Sequence, residues 1–254
     1  MSPPGRKIKV KWWTMKIYSS QLRQELNVMI RNGEQLLLII VIPVMLLVFF
    51  SKTDFLPTGT ENKINFLLPG ILSLAVISTA MVSLGIATGF ERNYGVLRRL
   101  GTTPLGTRRL VLAKVMSVFV IEVAQLALLI GVGVLLGWSP SQVNIVQTLT
   151  LLLIGTGCFA GIGLALAGRL RAEVNLAAQN ALFLFFLFLG GILVSGEELP
   201  ESLGEISRVL PSSLLSNLLR DSFNDKFVFS DALALLGWAI AMIVLAATSF
   251  KWSD

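Results

Sequence analysis

The chain has no histidine, one cysteine and two tyrosines, and only 14% of its residues are charged. Each shortage excludes something. Without histidine there is no Ser-His-Asp triad and no histidine metal site. With Cys158 alone, an internal disulfide is impossible and the usual multi-cysteine metal sites are excluded. No metal site is expected. A soluble domain carries about 25% charged residues, so this balance is not that of a soluble fold. No G-x-x-x-x-G-K-[ST] phosphate loop occurs, so the chain does not hydrolyse ATP by that route. The first apolar run starts after residue 34 and no small-residue cleavage site follows it, which does not read as a signal peptide.

What the chain does have is apolar length. Six runs lie at about 35–50, 66–89, 110–137, 145–168, 176–195 and 232–250. A spanning helix needs roughly 20 apolar residues, so all but the first are long enough. That run is short and holds Pro43. Nucleic-acid binding is the other usual reading of a net charge of +6 and a pI near 9.8. The runs exclude it, because they are too long for any soluble core. The expected fold is an all-α membrane protein with six transmembrane helices. Residues 1–34 form a basic tail and an amphipathic interfacial helix, and 35–254 form a single transmembrane domain. In that first segment Met15, Tyr18, Leu22, Leu26, Met29 and Ile30 recur at helical spacing, with Trp12 and Trp13 at headgroup level.

Charge placement sets the orientation. With the N-terminus in the cytoplasm, seven Lys and Arg precede the first run, six lie between Arg92 and Lys114, and Arg169, Arg171 and Lys251 join them on the same side. Lys52, Lys63, Arg208, Arg220 and Lys226 fall on the other. Cytoplasmic loops hold the excess of Lys and Arg, so both termini are expected inside. The last outer loop, Gly196–Asp231, carries seven of the 15 acids together with the helical spacing Leu214, Leu215, Leu218 and Leu219. That stretch is too short to span and suits a short re-entrant or outer helix, with Ser212 or Ser213 as its cap.

The densest feature is the stretch Gly89–Lys114. It contains Arg92, Arg98, Arg99, Arg108 and Arg109, and Lys114 closes it. Such a cluster belongs at the membrane surface, not in hydrocarbon. It also contains Leu97, Leu100 and Leu105, which attraction to anionic lipid alone does not require. Thr103-Pro104 reads as a helix start, with Thr103 as cap and Pro104 at the first position.

The pattern Glu91, Arg92, Gly95, Leu97, Arg98, Arg99, Leu100, Thr103, Pro104, Arg108, Arg109 resembles the cytoplasmic loop of ATP-binding-cassette permeases of the type-2 family, in the type V exporter-like, drug or antibiotic exporter branch. Gly190-Gly191, Leu199-Pro200, Leu210-Pro211 and the helix ending at Arg220 resemble that family's loop between spans five and six. The resemblance implies an exporter permease in the cytoplasmic membrane of a prokaryote. It implies a coupling helix between spans two and three, docked on a separate ATPase through the residues just named. It implies a second permease subunit, identical or not. ATP and Mg would belong to the ATPase chain, and this chain would bind no cofactor and catalyse nothing. Its partners would be those subunits and membrane lipid, with no nucleic acid. The cargo would be a drug, an antibiotic or a lipid, with a surface polysaccharide as the alternative.

Four polar residues in or beside the apolar runs are candidates for a polar path: Glu122, Gln125, Asn175 and Gln179. Glu122 lies about twelve residues into the third run, about 18 Å from its start at 1.5 Å per residue. Gln125 is on the same face. They either line a polar translocation path or join helices by hydrogen bonds. An ATP-independent channel or a proton-coupled carrier would make Glu122 central. Asn175 and Gln179 open the fifth run and are read as interfacial residues that could line the inner entrance. The pairs Gly85/Gly89, Gly133/Gly137 and Gly157/Gly161 suit close helix packing and mark candidate positions for a dimer seam.

Overall fold

A computed structural model describes residues 20–31, 33–53, 63–101, 107–140, 142–193 and 200–249. Among these the regular structure is helical, apart from one isolated bridge between Gln142 and Asn224. The helices are α1 (20–31), α2 (Gly33–Lys52), α3 (Lys63–Val76), a π-helical segment (Ile77–Ser83), α4 (Leu84–Asn93), α5 (Val96–Gly101), α6 (Thr107–Leu135), α7 (Ile145–Ala167), α8 (Ala172–Leu189), α9 (Glu201–Val209), α10 (Pro211–Ser222) and α11 (Phe229–Ser249).

Among the described residues, five stretches are long and apolar enough to cross a membrane: Lys63–Asn93, Leu110–Leu135, Ile145–Ala167, Ala172–Leu189 and Phe229–Ser249. They correspond to the second to sixth expected runs. The first run lies in α2, whose twenty residues reach about 30 Å at 1.5 Å per residue, with Pro43 inside it.

Several boundaries differ from the sequence reading. The second span extends to Asn93, so Glu91 and Arg92 are helical rather than in a loop. The polar turn expected at Arg169–Asn175 is shorter, because Arg171 is extended (φ −62°, ψ 151°) and α8 starts at Ala172. α8 stops at Leu189, where Gly191 takes φ +61°. Neither Ser212 nor Ser213 caps α10; that helix begins with Pro211, after an extended Leu210. Proline suits the first helical position because it has no N–H to leave unpaired. The outer loop nonetheless forms two short helices, α9 and α10, in the region expected for one. Trp138, between α6 and α7, is buried, with its ring edge-on to Phe223 at 5.1 Å.

The second span is the hub. It packs on α2, α6, α7, α8 and α10, and 89% of its apolar window is buried, against 22% for α8 and 28% for α11. Lipid tails are as apolar as leucine, so such helices associate through close packing rather than hydrophobic drive. Glycine supplies the closeness. A Cβ on Gly161 of α7 would lie 2.7 Å from the backbone carbon of Met242 on α11, and one on Gly163 would lie 2.6 Å from the carbonyl oxygen of Met81 in the π segment. Gly133 seats Leu68 of α3. Of the glycines read as candidate seam positions, Gly85, Gly89, Gly133, Gly157 and Gly161 face other elements of this chain, while Gly137 faces open space.

Candidate functional site

The crossover from the second span to α6 is tied down at both ends. Its arginines had suggested a loop. Instead α4 runs to Asn93, turns through Tyr94 and Gly95, and restarts as α5. Gly95 has φ +70°, a conformation that costs glycine little and other residues more. The Gly95 amide donates to Arg92 O at 3.0 Å.

Two cations anchor this turn from within. Lys114 on α6 donates to Glu91 of α4 at 2.8 Å and to Glu25 of α1 at 3.0 Å. Its side chain is only 5% exposed, and in a low dielectric an ammonium needs such partners. Glu25 is the lone acid in the basic first 32 residues, the one sequence signal for this contact. Met29 of α1 then meets Ser117, one turn further along α6. So α1 is clamped to the start of α6. Of its expected apolar stripe, Leu22, Leu26 and Met29 are half-buried while Ile30 is exposed; Met15, Tyr18, Trp12 and Trp13 lie outside the described residues.

Arg92 has a different task. It is buried and donates to Ala167 O and Leu170 O, both at 2.9 Å. Those carbonyls belong to the end of α7 and the turn after it, where helical partners run out. A cation at a helix C-terminus also complements the dipole. Arg92 thus caps α7 across the bundle.

Leu97 is buried at 2% exposure and seats α5 against the chain. The outward residues of this region are Asn93, Tyr94, Val96 and Arg99, with the Tyr94 ring stacked on Phe90 at 6.1 Å. Thr103, Pro104 and Leu105, and the side chains of Arg98, Leu100, Arg108 and Arg109, lie outside what is described.

The four polar residues of the apolar runs are all buried between helices of this chain, at 2% exposure for Glu122, 4% for Gln125 and 0% for Asn175 and Gln179. Glu122 on α6 is hydrogen-bonded to Thr156 on α7. Gln125 donates to Ile39 O of α2 at 2.8 Å and lies 3.2 Å from the Thr79 hydroxyl in the π segment. Asn175 donates to Gly85 O at 2.9 Å, and Gln179 donates to Gly163 O at 3.0 Å. Asn175 and Gln179 were read as interfacial. They sit one turn apart on α8 and press into Gly85 and Gly89, one turn apart on α4. A Cβ there would lie 2.1 Å from Gln179 Nε2 and 2.5 Å from Asn175 Nδ2. The glycine pair and the amide pair match in spacing; only folding shows that they face each other.

The opposite end carries one more knot, absent from the expected site residues. Arg220 of α10 donates to Phe66 O, Gly191 O, Ile192 O, Ser216 and Asn217 at 2.8–3.3 Å, and lies 3.9 Å over the Phe66 ring. It thereby satisfies backbone carbonyls that α8 leaves unpaired where it breaks. Burial pulls its guanidinium down to about 10, with Asp221 opposing, so it remains a cation at neutral pH.

A family model described as ABC-2 type transporter matches residues 18–224, well over half of the chain. The chain belongs to the ABC-2 type transporter family. Its members are the transport subunits of ABC transporters, and membership implies an ATPase partner. The match runs from just before α1 through α10; α11 follows it. No curated protein matches the chain.

Proposed function

We propose that this ABC-2 permease is the membrane half of an exporter that moves a hydrophobic or amphipathic cargo across the cytoplasmic membrane of a prokaryote. It spans six times with both termini inside, pairs with a second permease subunit, and is driven by a separate ATPase that holds ATP and Mg. The helix of the first run, α2, has the twenty residues that a crossing needs. A drug, antibiotic or lipid suits the nearly charge-free interior better than a surface polysaccharide does.

The observation that supports this reading is the wiring of the crossover. A motor must push on something stiff. Arg92 ties α4 to the end of α7, and Lys114 ties it to α1 and α6. A force on α5 therefore reaches three helices as rigid-body motion. Among the described side chains, Tyr94, Val96 and Arg99 are left as the outward face for an ATPase, with Arg98, Leu100, Thr103, Pro104, Arg108 and Arg109 continuing it along the chain.

The test is co-purification with the ATPase and cargo-stimulated hydrolysis. Val96→Asp, Leu100→Asp, and the pair Arg98→Glu with Arg99→Glu each put a charge where docking would bury or repel it. They are expected to insert normally and lose binding by tenfold or more, about 1.4 kcal/mol. Full binding and full stimulation in all three would reduce the crossover to a topology signal.

A further inference from the structure

Pro43 interrupts α2 in its apolar part. Proline has no amide hydrogen, so the carbonyl four residues earlier loses its helical partner. That carbonyl is Ile39 O. In hydrocarbon an unpaired backbone carbonyl is costly, and prolines in spans are tolerated where a neighbour satisfies the freed group. Gln125 is that neighbour: its Nε2 donates to Ile39 O at 2.8 Å.

The other end of the same amide reaches the second backbone irregularity of the bundle. Between Ile77 and Ser83 the second span is π-helical, and the Leu84 amide reaches Thr79 O five residues back. The Thr79 hydroxyl lies 3.2 Å from Gln125 Oε1, while also donating to Ala75 O at 2.8 Å. Ile39, Thr79 and Gln125 are all buried. π segments are rare and cluster at functional sites. Prolines and π segments are also the places where helices bend. One side chain thus bridges a break in the regular α-helical bonding of each of two adjacent helices.

We propose that Gln125 is a positioning residue that joins the Pro43 break of α2 to the π turn of the second span, so that both spans flex at one depth as a unit. The pairing stands on geometry. Its use in a transport cycle rests on the permease reading above.

The pairing makes a prediction that mere packing does not. Gln125→Leu leaves Ile39 O unpaired and lowers the thermal midpoint of the purified full-length chain. Pro43→Ala restores an amide hydrogen at position 43, which can close the helical bond to Ile39 O. The double variant should therefore regain most of the loss, and if Gln125→Leu fails to accumulate at all, recovered yield in the double variant is the same result. A double variant no more stable than Gln125→Leu overturns the pairing. In the assembled transporter, Pro43→Ala and the double variant should bind the ATPase normally yet move cargo at least tenfold more slowly. Wild-type transport by the stable double variant overturns the shared hinge while sparing the pairing. Failure of the wild-type chain to bind any ATPase would sink the permease reading and leave the stability rescue unaffected.

Discussion

At the scale of the residue, the buried cations Arg92, Lys114 and Arg220 each have several partners. Lys114 is the clearest case, because its two acids come from two different helices, both earlier in the chain. Lys114→Met would leave Glu25 and Glu91 facing each other without a cation. Breaking a fully buried pair costs about 3–5 kcal/mol; here about 2 kcal/mol is expected, since Glu91 keeps 26% of its side chain exposed. Adding Glu25→Gln and Glu91→Gln should recover most of that loss in thermal unfolding, and no recovery would mean that the lysine acts by packing alone. Glu122 is a milder case. Its hydrogen-bond partner is Thr156, and an amide keeps that bond, so Glu122→Gln should stay within about 1 kcal/mol of wild type. A transport loss in that variant with normal stability would instead favour the carrier reading.

At the scale of the element, helices meet where glycine lets them, and the seats are not equivalent. Gly161 and Gly163 face backbone, which cannot yield, whereas Gly85 and Gly89 face the amide ends of Gln179 and Asn175, which can shift. Alanine at Gly161 or Gly163 is therefore expected to cost about 1–3 kcal/mol, and more than alanine at Gly85 or Gly89. Gly131 and Gly237 are helical glycines with open space around them, so alanine there should be neutral or slightly stabilising. A thermal-shift series across these six variants checks the ranking, and equal effects at all six would contradict the packing described. The spacing of the glycines is plain in the sequence. Which helix each one receives is not, because spacing repeats along many helices and carries no address.

At the scale of the whole molecule, the proposed topology puts the crossover and the α9–α10 loop on opposite sides of the membrane. Single cysteines at Asn93 and Ser202, both exposed, in a Cys158→Ala background should react with an impermeant thiol reagent from opposite faces. Reaction of both from one face would exclude six spans with both ends inside. The all-helical class and, among the described residues, five candidate spans to within a few residues were legible in the sequence alone. These depend on sums over a window of about 20 residues, since transfer into hydrocarbon is decided by the local chain. The partners of the polar groups were not legible. Lys114 bonds across 89 and 23 residues, Gln125 across 86 and 46, and Arg92 across 75 and 78. An intramembrane polar group must find a partner wherever the folded bundle offers one. The sequence by itself therefore determined that Glu122 and Gln125 needed protein or water as a partner, while Asn175 and Gln179 read as interfacial. Only the tertiary structure decided that they join helices, because packing, and not position in the chain, chooses which carbonyl or hydroxyl lies within reach.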